Sequence, residues 1–136
     1  MNTNRAILLI EDDQIDRMTI QRGFRNLNIK NKLDMVKNGQ EGLEYLRKSK
    51  ENPTLIILDI NMPKMNGLEF LGIIKKNEEY KTIPVFILTT SNDENDKRFC
   101  YECGIAGYIL KPIDYLEFQE TIKILSNYWD INKFIT

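Results

Sequence analysis

The side chains able to do chemistry together fall in a few short stretches: Glu11-Asp12-Asp13, Asp59, Thr89-Thr90-Ser91 and Lys111. Each follows directly on a run of apolar residues. Several carboxylates gathered in one place repel one another unless something positive lies among them. Their donors are all oxygen and the chain has no histidine, so the fitting cation is a hard one, magnesium, with water completing its octahedron. The competing reading makes these acids helix N-caps, which stabilise the positive end of a helix; Asp13 is expected to be one. A hydroxyl and an ammonium set opposite such a cluster provide the donors that a tetrahedral dianion needs, where carboxylates alone would repel it. Thr89 taken singly is an ordinary strand-end threonine and Lys111 an ordinary surface lysine. Their joint occurrence makes the pocket read as a phosphoryl site.

Other chemistry is excluded by what is missing. Without histidine there is no Ser-His-Asp triad, no imidazole metal site and no phosphohistidine carrier. Cys100 and Cys103 have the spacing of a redox pair or half a zinc site, but no second pair or histidine completes it. They are expected to pack in a buried helix. The 19 basic and 20 acidic side chains leave a formal charge of -1, which gives no overall reason to bind nucleic acid or an anionic membrane. The apolar runs are far shorter than the roughly 20 residues that cross a bilayer, and the first lacks the marks of a leader. A cytoplasmic chain is expected.

The elements that must position these groups are legible as an alternation. Short apolar runs at Ala6 to Ile10, Leu33 to Val36, Thr54 to Leu58, Pro84 to Leu88 and Tyr108 to Leu110 alternate with longer amphipathic stretches, the pattern of strand and helix units around a parallel sheet. The runs Leu55 to Leu58 and Val85 to Leu88 are apolar at every position, as central strands covered on both faces should be. Helices are expected over Gln14 to Leu27, Gln40 to Lys48, Gly67 to Asn77, Asn95 to Cys103 and Asp114 to Trp129. Asn38-Gly39 and Gly104 read as turn and cap signals. Acids therefore sit just past the carboxyl ends of the first and third strands, where an open parallel sheet binds ligands. If those strands are neighbours, about 5 Å apart, their carboxylates converge on one ion.

The segments ILLIEDD at 7 to 13, LIILDINMPKMNGLEF at 55 to 70, PVFILTTS at 84 to 91 and GYILKP at 107 to 112 together resemble the receiver domains of two-component response regulators, over nearly the whole length. The run Thr89-Thr90-Ser91 also resembles single-domain regulators found beside bacteriophytochrome-type kinases. The resemblance implies a doubly wound, flavodoxin-like α/β fold: five parallel strands in order 2-1-3-4-5 with five flanking helices, forming one domain over 1–136 with its core at about 5–129 and a short extension, 130–136. It makes Asp59 the phosphoacceptor, Asp12 a direct magnesium ligand and Asn61 a ligand through its backbone carbonyl. Glu11 would hold the metal through water. Thr89 and Tyr108 match the switch hydroxyl and aromatic, Lys111 the lysine on the phosphoryl group, and Lys111-Pro112 a peptide bond usually cis. The implied donor is a sensor histidine kinase. Phosphorylation would bias a two-state equilibrium and alter the face made by the fourth helix, fifth strand and fifth helix, with output to a downstream protein or to self-association. Only Asp130 to Thr136 follow the fifth helix, so no effector domain is expected.

Two other functions fit the fold. A haloacid-dehalogenase-type phosphohydrolase also uses a strand-end aspartate, magnesium, a threonine and a lysine, but it has an acid two residues after the nucleophile, where this chain has Asn61. A pseudo-receiver would be a docking module without the intact set Glu11, Asp12, Asp59, Thr89 and Lys111. On the fifth helix, Phe118, Ile122, Leu125 and Trp129 form an expected core stripe, and Ile124, Tyr128 and Ile131 a second apolar line. That line is either an interface with another chain or is covered by the C-terminal tail.

Overall fold

The computed structural model describes residues 4–134. Its elements alternate as β1 (Ile7–Ile10), α1 (Gln14–Asn26), β2 (Leu33–Val36), α2 (Gly39–Lys48), β3 (Leu55–Leu58), α3 (Gly67–Lys75), β4 (Val85–Thr89), α4 (Glu94–Glu102), β5 (Gly107–Leu110) and α5 (Tyr115–Ile131). The strands form one sheet in the order β2-β1-β3-β4-β5, and every pairing is parallel.

Successive side chains of a strand point to opposite faces, and here both faces are covered. Leu8, Ile10, Ile56, Leu58, Val85 and Ile87 pack on one side against Leu46 of α2, Phe70, Leu71 and Ile74 of α3 and Cys100 of α4. Ile7, Leu9, Leu55, Ile57, Phe86 and Leu88 pack on the other against Ile20 and Phe24 of α1 and Phe118, Ile122 and Trp129 of α5. The interior strands β1, β3 and β4 are therefore apolar without alternation, while the edge strands β2 and β5 are only half buried. Cys100 lies wholly in the core, as expected of a packing cysteine, and both thiols are free. Burial pushes Cys100 up to about 11 and raises Cys103 as well, so neither is a ready thiolate.

The helix starts repeat one device. Asp13, Asn38, Asn66, Asp93 and Asp114 each turn a side-chain oxygen onto the free N–H groups of the first turn, meeting donors that a helix leaves unpaired. Asn38-Gly39 is thus the cap and first residue of α2 rather than a turn of its own. Gly104, at φ +86°, ends α4 as expected. At the other end of the chain α5 continues to Ile131, two residues past the expected stop at Trp129. Phe134 then packs back onto the core, its ring edge-on to Phe86 at 6.3 Å. That contact leaves Ile124 61% and Ile131 77% exposed, so among the described residues the tail does not cover the second apolar line. Thr136 and residue 135, the end of the expected extension, lie outside the described residues, as do residues 1–3.

Because β1 has β2 on one side and β3 on the other, the winding of the chain reverses there. The crevice at the carboxyl ends of β1 and β3 is where such sheets hold ligands. The close approach of α3 behind that crevice depends on Gly67, since a Cβ there would lie 2.2 Å from the carbonyl oxygen of Asp59. Gly67→Ala should therefore cost about 1–3 kcal/mol through backbone displacement, measured as a lower urea midpoint with an unchanged slope; an unaltered midpoint would show the approach to be soft.

Candidate phosphoryl and metal site

The register of the sheet brings the acids together. Ile10 of β1 stands opposite Leu58 of β3, so Glu11 and Asp59, the next residue of each strand, leave the sheet side by side. The Asp59 N–H donates to the Ile10 carbonyl at 3.0 Å, continuing the ladder one step into the loop. Glu11 and Asp59 are buried, and Asp12 lies exposed at the mouth. One carboxylate oxygen from each of Glu11, Asp12 and Asp59 falls within 4.8 Å of the others. Asp13 turns away and caps α1 through the N–H groups of Ile15 and Asp16; of the four acids expected at this edge, it is the one with a purely helical task. Asn61, two residues beyond Asp59, is exposed on the same loop.

Lys111 supplies the positive charge. Its backbone N–H donates to the Thr89 carbonyl at 2.8 Å, which fixes the end of β5 beside that of β4. Its side chain, only 5% exposed, donates to Glu11, to Asp16 at 2.8 Å and to Asp59 at 3.4 Å. Burial by itself would lower the pKa of this ammonium, but its bonds to Asp16 and Glu11 and the charge of Asp59 outweigh it and hold Lys111 above its ordinary value. Glu11 moves the other way. Burial, then the neighbouring charge of Asp59, push its carboxyl up to about 8, with Lys111 only partly opposing them. The Lys111-Pro112 bond was expected to be cis, and it is trans. The tertiary amide carries an intrinsic trans preference of about 0.5–1 kcal/mol, and Lys111 reaches all three carboxylates from the trans form.

Thr89 is buried at the end of β4 and its Oγ1 accepts the Ser91 N–H at 3.2 Å. The carbonyl of Ser91 accepts the Tyr108 hydroxyl at 2.9 Å, and its own hydroxyl donates to Asp96 of α4 at 2.8 Å. Ser91 therefore joins the buried hydroxyl to the β5 aromatic and to α4. Thr90 is exposed. Two roles escaped the reading of the sequence. The bonding of Ser91 to Thr89, Asp96 and Tyr108 depends on loop geometry, for which no pattern exists. Asp16 left only a faint trace, as an acid in the first turn of the helix that follows the cluster.

Residues 7–123 match the response regulator receiver domain family. The chain belongs to that family. It is 33% identical over 127 residues to the probable methanogenesis regulatory protein FilR2 of Methanothrix harundinacea, covering 90% of this chain and 82% of that one. It is 32% identical over 133 residues to response regulator Rcp1 of Synechocystis, covering 94% and 90%. Among solved structures, the phosphorylated cyanobacterial phytochrome response regulator RcpA superposes with a TM-score of 0.91 at 30% identity, covering 97% of this receiver and 99% of that chain. The Mn2+-bound form of Rcp1 superposes with a TM-score of 0.90 at 29% identity, with the same coverage. Receivers are the phosphoacceptor domains of two-component signalling, and they bind a divalent metal. The all-oxygen donor set of this receiver and the 4.8 Å spread of its carboxylates fit such an ion. No helix among the described residues is long and apolar enough to cross a membrane.

A proton on Glu11 would compete with a dication at this cluster. With its carboxyl pushed up to about 8 by burial and the charge of Asp59, Glu11 would have to lose that proton to help carry a dication. Divalent-metal affinity should accordingly rise with pH, by up to about tenfold per unit below pH 8, and level off above it. Titrations with Mn2+ followed by electron paramagnetic resonance from pH 6 to 9 test this, and a flat profile below pH 8 would contradict it. In Glu11→Gln the slope should vanish.

Proposed function

We propose that Asp59 of this receiver takes a phosphoryl group from a phosphohistidine on a sensor histidine kinase and passes the change to the face formed by α4, β5 and α5. The observation that carries this reading is the placing of Asp59 beside Glu11 and Asp12 with the Lys111 ammonium 3.4 Å from its Oδ2. A carboxylate oxygen of Asp59 attacks phosphorus, the bond from phosphorus to the donor imidazole nitrogen breaks, and the electron pair leaves with the imidazole. Magnesium, held by Asp12, Asp59 and the Asn61 backbone carbonyl and through water by Glu11, would screen the nucleophile from the transferring oxygens. Lys111 neutralises part of the charge that remains. The protein acts as a phosphoacceptor rather than a turnover enzyme, because Asn61 stands where a phosphohydrolase needs an acid and base. A cytoplasmic location goes with a kinase partner of this kind.

The hydrogen bonds of Ser91 supply the route outward. A phosphoryl group adds about two negative charges and attracts the Thr89 hydroxyl, which then gives up the Ser91 N–H. The carbonyl of Ser91 holds Tyr108 and its hydroxyl holds Asp96, so a shift of this loop reaches β5 and α4 together and biases a pre-existing equilibrium. The apolar line Ile124, Tyr128 and Ile131 lies exposed on α5, which supports output through a second protein or a second copy of the chain.

Asp59→Asn should abolish acid-labile phosphate uptake in kinase transfer assays while melting no lower than the wild type, since it removes one charge from a crowded cluster. A persistent one-phosphate adduct on that variant would refute the assignment. Asp12→Asn should weaken Mg2+ binding, whereas Lys111→Ala leaves it undiminished and blunts the response to phosphorylation; equal metal loss in both would reverse the roles. For self-association, beryllofluoride with Mg2+ should shift sedimentation toward dimer, and Tyr128→Glu should prevent the shift with the monomer still folded. A monomer under all conditions directs output to a different protein.

A further inference from the structure

The reading of Asp59 as phosphoacceptor leaves one partner of Lys111 unexplained. A lysine ammonium has three N–H donors, and Lys111 directs them at Glu11, Asp16 and Asp59. Its side chain is 5% exposed, so solvent has little access to it. The contact with Asp59 is the longest of the three, 3.4 Å, and passes to the phosphoryl group along with Asp59 itself; for the ammonium to close on that group it must loosen its hold on one of the other two, Glu11 or Asp16. Glu11 is 1% exposed and belongs with Asp12 and Asp59 in the group able to hold a metal. Asp16 lies outside that group, on the first turn of α1, with its side chain 24% exposed. Turning it out to water costs least, and its carboxylate makes no other ion pair among the described residues.

We infer that Asp16 is a holding carboxylate: it keeps Lys111 engaged while Asp59 is unmodified and gives it up to the phosphoryl group, so that it sets how readily the site accepts that anion. The inference rests on the reading of Asp59 given above. Asp16 acts through Lys111 and touches no reacting atom, which makes it a positioning residue. Removing its charge frees a donor in advance and lowers the competition that an incoming anion meets.

The test compares beryllofluoride binding at fixed Mg2+ in the wild type, Asp16→Asn, Asp16→Glu and Asp13→Asn. Asp13→Asn is the charge control, because asparagine caps a helix about as well as aspartate and Asp13 has no contact with Lys111 among the described residues. Asp16→Asn should bind about fivefold more tightly than wild type, the scale of losing a partly exposed ion pair. It should exceed Asp13→Asn clearly, and Asp16→Glu should return to the wild-type value. Affinity for Mg2+ alone should be alike in the wild type and Asp16→Asn. Equal gains in Asp16→Asn and Asp13→Asn would overturn the inference by reducing it to general charge, and so would weaker binding by Asp16→Asn. Failure of the wild type itself to bind beryllofluoride would instead overturn the reading of Asp59, and the inference with it.

Discussion

Four carboxylates, Glu11, Asp12, Asp16 and Asp59, share one corner of the sheet with a single ammonium. Like charges this close in a partly dry site are unfavourable, and the local design can be understood as ways of keeping them there. Glu11 retains a proton to about pH 8 under burial and the charge of Asp59. Asp13 spends its charge on a helix start. Lys111 is held by its backbone to β4 and by its side chain to three acids. What remains is a site with negative charge to spare, which a dication satisfies and which the addition of an anion unsettles.

On the reading of Asp59 as phosphoacceptor, that imbalance would link binding to movement. A phosphoryl group at Asp59 would, on that reading, compete for Lys111, whose donors are engaged by carboxylates, and would attract the Thr89 hydroxyl, whose oxygen accepts the Ser91 N–H. The bonds at stake belong to different elements: Asp16 lies on α1, and Ser91 in the loop before α4. A local change in charge would thereby spread over both sides of the sheet without any long chain of contacts. Behind the site, the strands are apolar along β1 and β3 and up to Leu88 of β4, and lie between two core layers.

The architecture could be read from the chain because its causes are local or periodic. Uninterrupted apolar runs signalled strands covered on both faces, and Ile20 and Phe24 recur at helical spacing and lie buried in α1. The small misreadings have local reasons too. Asn38-Gly39 looks like a turn but serves as a helix start, since asparagine suits both tasks. Helix α5 ran past its expected end because Asp130 and Ile131 carry no stop signal.

For the site, residue types and their position after each strand were enough to assemble Glu11, Asp12, Asp59, Thr89 and Lys111, since a parallel sheet places all its carboxyl ends on one edge. Which of them touch was decided only by the tertiary structure. The strand order put β1 against β3 and so paired Glu11 with Asp59, and the packing of α1 against that edge brought Asp16 to a lysine 95 residues away. The trans bond at Pro112 and the bonds of Ser91 to Thr89, Asp96 and Tyr108 are equally matters of fit. Sequence patterns report what each element must bury. The identity of a side chain's distant neighbours depends on how the elements stack, and no local preference encodes that.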